Sequence, residues 1–109
     1  MSDKPVPIDL VPYTDMIRGS REFLRVWAAQ AGGPVTCFIN PVPVGGDPMG
    51  FGLALVDCVR HGAKTWAKAT GISEAEALQR IWEGVDAERA NPTDIATQIP
   101  TTDEDGLIH

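Results

Sequence analysis

"REFLRVWAAQAGGPVTCFIN", residues 21–40, decides the reading of the fold. Two short runs rich in β-branched and aromatic residues flank "AGGP", and strand-favouring runs around a glycine turn form a β-hairpin. With Gly32 and Gly33 as a two-residue loop, Trp27 faces Phe38 and Val26 faces Ile39. Strand alternation then sets Leu24, Val26 and Ala28 on one face with Val35, Cys37 and Ile39. Arg25, Trp27, Ala29, Thr36, Phe38 and Asn40 take the other face. Neither face is polar enough to lie in water. Such a ribbon needs cover on both sides and partners at its edges. Helices supply one cover, and the N-terminal arm or a second copy of the chain must supply the other.

Downstream, "PVPVGGDPMG" (41–50) is a turn-rich link ending in Asp47-Pro48, an N-cap followed by the residue best tolerated at the first helical position. One helix is predicted from Pro48 to Thr70, closed by Gly71. At about 100° per residue, Leu55, Cys58, Val59, Gly62, Ala63, Trp66, Ala69 and Thr70 gather on one side. Asp57, Arg60, His61, Lys64 and Lys68 gather on the other. "ISEAEALQRIWEGVDAERANP" (72–92) is a second helix. Ser73 and Glu76 form its capping box, and Ala77, Leu78, Ile81, Trp82 and Val85 form its apolar stripe. Only Gly71 and Ile72 separate the helices, so they fold back antiparallel, with Gly62, Ala63 and Ala67 letting the backbones approach.

The expected architecture is therefore α+β: an antiparallel β-hairpin followed by an antiparallel helical hairpin (ββαα), with an extended N-terminal arm. The arm spans 1–20 and offers Ile8, Leu10, Val11 and Tyr13 for packing; the domain spans 21–92. Residues 93–109, "TDIATQIPTTDEDGLIH", read as a loose acidic tail.

At 109 residues the chain suffices for one modest core. Its charge is uneven. Residues 1–70 hold seven Lys/Arg against six Asp/Glu, whereas 71–109 hold two against nine, giving the net charge of −6. Nucleic-acid binding depends on a cationic surface that displaces counterions, so this field points the wrong way. It equally disfavours an anionic membrane surface, and no apolar run reaches the ~20 residues of a span. "MSDKPVPIDL" lacks the basic and apolar regions of a signal peptide, which makes a soluble cytoplasmic protein the expectation. Cys37 and Cys58 are too few for a disulfide scaffold and read as buried thiols in a reducing compartment.

"DCVRHGAK" (57–64) crowds an acid, a thiol, an imidazole and two cations into two helical turns. Asp57 and His61, four apart, share a face and are the candidate catalytic pair, since an Asp that orients a His is half of a catalytic triad. Cys58 sits about 100° away around the helix, so thiol and imidazole do not enter one pocket, and nothing marks an oxyanion site. A solvated helix face accounts for these residues more simply. Cys37, Cys58 and His61 are the candidate metal ligands, but one loose Cys-x-x-His falls short of the four paired ligands of structural zinc. No metal or cofactor is expected. "VGGDPMGFG" (44–52) matches neither glycine-rich phosphate motif, and Asp47 at the N-cap would repel an anion. Trp27, Phe38 and Trp66 are candidates for an aromatic ligand pocket between hairpin and helices, although such positions more often build a core or a dimer interface.

"LRVW" (24–27), "DCVRHGAKTWA" (57–67) and "RIWEGVDAERANPTD" (80–94) resemble a small family of bacterial proteins, mainly alphaproteobacterial and catalogued as a domain of unknown function. The resemblance spans Arg21 to Asp94. It implies a bacterial cytoplasmic protein with no assigned activity, and it carries over no site residues. The leading expectation is a non-enzymatic protein-interaction module, paired with itself as a homodimer and open to another protein. The alternatives are a small-molecule-binding domain and, behind it, an enzyme using Asp57 and His61.

Overall fold

Local signals set the helices of the computed structural model, which describes residues 3–93 together with the backbone of 101–102 and 107–108. The first helix, α1, runs Pro48–Thr70. Asp47 Oδ1 accepts the Met49 N–H at 3.0 Å, and Pro48 occupies a first-turn position where no amide partner is needed. Gly71 ends the helix at φ 80°, its N–H donating to the Ala67 carbonyl at 2.9 Å. That left-handed backbone favours glycine. The second helix, α2, runs Glu74–Ala90, with Ser73 Oγ accepting the Glu76 N–H at 3.0 Å.

The two helices fold back on one another and meet through small residues. Ala63 of α1 is 1% exposed and Ala77 of α2 is 3% exposed. A methyl group placed on Gly62 would lie 3.7 Å from Ile81 Cδ1, so the α2 side chains reach the α1 backbone itself. Val59 and Ala67 of α1, and Leu78, Ile81, Trp82 and Val85 of α2, are half-buried around this point. Here sits the core.

The hairpin joins β1 (Leu24–Trp27) to β2 (Thr36–Ile39) in antiparallel register, with Leu24 opposite Ile39 and Trp27 opposite Thr36. This differs by two residues from the register expected of a Gly32-Gly33 loop. The chain reverses earlier, where the Gly32 N–H donates to the Ala29 carbonyl at 3.0 Å. Gly32 and Gly33, at φ 90° and 101°, follow that turn instead of forming it. An even shift leaves every side chain on its expected face.

Two further short strands, β3 (Thr101–Thr102) and β4 (Leu107–Ile108), extend the sheet to the order β1-β2-β4-β3, with Ile39 opposite Ile108. The rest of the acidic tail, His109 included, lies outside the described residues. Among the described residues β1 is an edge strand, paired on one side alone. The N-terminal arm has no regular structure as far as Leu10. From Val11 to Tyr13 it winds into a 3-10 turn, because Asp9 Oδ1 accepts the Val11 N–H and Pro12 fixes the next φ.

Sheet and helices meet where Phe23, just before β1, stands edge-on to Phe51 of α1, with ring centroids 6.2 Å apart. A second 3-10 turn, Val42–Val44, lies against the first turn of α1. A Cβ on Gly50 would come within 2.9 Å of the Val44 carbonyl oxygen, while one on Gly52 would meet open space. The two glycines should therefore respond oppositely to alanine. Gly50→Ala is expected to destabilise by about 1–3 kcal/mol through overpacking, and Gly52→Ala to stabilise by about 0.5–1 kcal/mol through helix propensity. Denaturant unfolding of the two variants checks both signs.

Candidate functional site

Asp57, Cys58, Arg60, His61 and Lys64 are all exposed on α1. No hydrogen bond or ion pair joins Asp57 to His61; the hydrogen bond at His61 is made by its main-chain carbonyl, which accepts from the Thr65 hydroxyl at 3.1 Å. Without a mutual contact or a desolvated setting, the pair is not oriented for acid–base work. Among the described residues no group of three or more His, Cys, Asp or Glu converges as metal ligands. Both thiols are free, with Cys37 half-buried on the sheet and Cys58 exposed.

Cys58 corrects an expectation, since the sequence placed it in the core. The apolar arc of α1 is wider than one helix can cover. Val59, Ala63 and Ala67 turn towards α2, while Leu55, Cys58, Trp66 and Ala69 fall beside it and stay exposed. Trp66 is 58% exposed and Leu55 37%. Beside Cys58 the arm and the start of β1 enclose a trough of about 470 Å³, walled by Leu10, Ile17, Phe23 and Leu24.

The aromatic candidates are divided. Trp27 and Phe38 line one open concavity of about 330 Å³ on the hairpin, with Arg25 and Asn40 among its polar neighbours, and Trp66 is no part of it. Arg25 is paired with Glu22, whose hydrogen bond and negative charge raise the guanidinium pKa above its ordinary value. Arg18 of the arm is likewise paired with Asp15 three residues away, so both cations are neutralised locally.

The site that emerges is a surface and not a pocket. Among the described residues Ala63 and Ala77 alone are buried, while fourteen large apolar side chains stand exposed, from Val6 in the arm to Trp66 in α1. Scattered exposed apolar residues are ordinary, whereas contiguous ones mark interaction surfaces. Sequence periodicity located Leu55, Cys58 and Trp66 on α1 but assigned them to a core. The available signal was the breadth of the α1 arc, about 140° from Cys58 round to Ala63, against the single helix available to cover it.

No curated protein matches this chain. Among solved structures, a protein of the photosynthetic bacterium Rhodopseudomonas palustrus CGA009, described as a "putative pyruvate dehydrogenase", is 33% identical. The alignment covers 93% of this chain and 100% of that one, with a TM-score of 0.64. The profile of a family described as "Domain of unknown function (DUF5076)" matches residues 12–93, from the second half of the arm to the end of the helical hairpin. The chain belongs to that family.

Proposed function

We propose that this chain is a non-enzymatic protein-interaction module that completes its core by pairing with a second copy of itself. One observation carries the reading: among the described residues nothing larger than alanine is buried. The cytoplasm is the proposed location, since two free thiols fit a reducing compartment. Among the described residues no helix is long and apolar enough to cross a membrane.

A second reading has its own observation. Trp27 and Phe38 beside Arg25 and Asn40 offer a small ligand an apolar wall with polar handles. The concavity is open, which favours the protein-contact reading over it. The dehydrogenase description of the Rhodopseudomonas palustrus protein would require reactive groups held in place. Asp57, Cys58 and His61, exposed on one helix, give that reading no support.

Two outcomes follow from the interaction reading. Size-exclusion chromatography with light scattering should give a mass near twice 11.7 kDa at micromolar concentration, and a monomer throughout would contradict it. Asp57→Asn and His61→Ala should leave that mass unchanged and shift stability by less than about 0.5 kcal/mol, as solvated surface positions do. A larger loss in denaturant unfolding would return the pair to consideration as a site.

A further inference from the structure

We propose that two copies join edge to edge through β1, antiparallel, on a two-fold axis at Val26 that makes one continuous sheet of both hairpins. This deepens the homodimer reading and rests on it. The Asn40 N–H donates to the Phe23 carbonyl at 2.9 Å, in the register that pairs Leu24 with Ile39 and Trp27 with Thr36. In an antiparallel ladder only alternate residues bond to a given neighbour. Phe23, Arg25 and Trp27 therefore turn their main-chain N–H and C=O towards β2. Leu24 and Val26 turn theirs outward, to the side of β1 that no other strand occupies among the described residues. The Val26 side chain is 47% exposed there. Such an edge is a template for another strand. A second β1, run antiparallel, offers the same outward groups at the same spacing.

Symmetry and charge select the register. A two-fold axis normal to the sheet keeps every side chain on its own face, so it passes at a residue and not between two. At Arg25 it would set like charges directly opposite, which is destabilising. At Leu24 it would set the Glu22 carboxylate against Val26, and at Trp27 it would leave Leu24 opposite Gln30, in the turn. At Val26 none of these conflicts arises. Val26 meets its own copy, Leu24 meets Ala28, and Arg25 lies opposite Trp27. Arg25 is the sole charged residue from Phe23 to Ala29, and a guanidinium is favoured against an indole ring. The face formed by Leu24, Val26 and Ala28 continues across the axis into the same face of the other copy, which covers Val26. Near the start of β1 the arm closes in, with Leu10 and Ile17 walling the trough beside Phe23 and Leu24. To that end the second copy brings only the small side chains of Ala28 and Ala29.

Cysteines placed along β1 test both the contact and its register. In Val26→Cys, built on Cys37→Ser and Cys58→Ser, mild oxidation should trap a covalent dimer. Residues opposed across such a hydrogen-bonded pair have Cα atoms about 5.5 Å apart, within disulfide range. Cys37 must be removed because it lies opposite Val26 within the chain. Leu24→Cys in the same background should form no cross-link, since the two copies of that position stand four residues apart along the strands, about 13 Å. In Val26→Lys two ammonium groups meet at the axis. The dimer dissociation constant, measured by analytical ultracentrifugation, should then rise about tenfold or more with helical circular dichroism retained. A wild-type dimer that Val26→Lys leaves undiminished, or a Val26→Cys protein that forms no covalent dimer, overturns this pairing and moves the homodimer reading to another surface. A wild-type chain monomeric at every concentration overturns both.

Discussion

The close approach of α1 to α2 at Ala63, Ala77 and Gly62 is the contact on which the rest of the structure depends. Two helices linked only by Gly71, Ile72 and Ser73 must run antiparallel, and small residues at the contact draw their axes together. With the backbones that near, Ile81 packs over Gly62, and the half-buried side chains around it have no wider groove to fill. The same closeness limits what the helical hairpin stabilises. Burial stabilises by roughly 25 cal/mol per Å² of apolar surface, and two alanines and a glycine remove little of it from water.

A chain of this size normally buries large side chains to offset the entropy of ordering. This one holds its large apolar groups at the margins of the helix pair: Leu55 and Trp66 on α1, Val26 on β1, Leu10 and Ile17 in the arm. The hairpin reaches the helices through Phe23 against Phe51, one edge-to-face ring contact at the N-terminal end of α1. The arrangement resembles half of a core more than a whole one.

Local features were readable in the sequence because their causes are local. Asp47-Pro48 and Gly71 bound α1 through a cap, a missing amide and a left-handed residue, and Ser73 marked α2 in the same way. The faces of the hairpin were readable because alternation survives an even slip of register; the register was not, since Gly32 and Gly33 follow the turn. Trp66 and Cys58 were misread for a different reason. A helix stripe that packs on its own chain and one that is left exposed have the same periodicity. Of the candidate residues, Trp27 and Phe38 share one concavity, whereas Trp66 stands apart on α1. Asp57 and His61 lie on the solvated face, as their position opposite the apolar arc implies.

Thermal unfolding over a hundredfold range of protein concentration tests the central claim most directly. If the chain supplies half a core that a second copy completes, folding and association are coupled by mass action, and the melting temperature rises steadily with concentration. A melting temperature independent of concentration across that range would contradict the account, because it would show that one chain holds its fold without a partner.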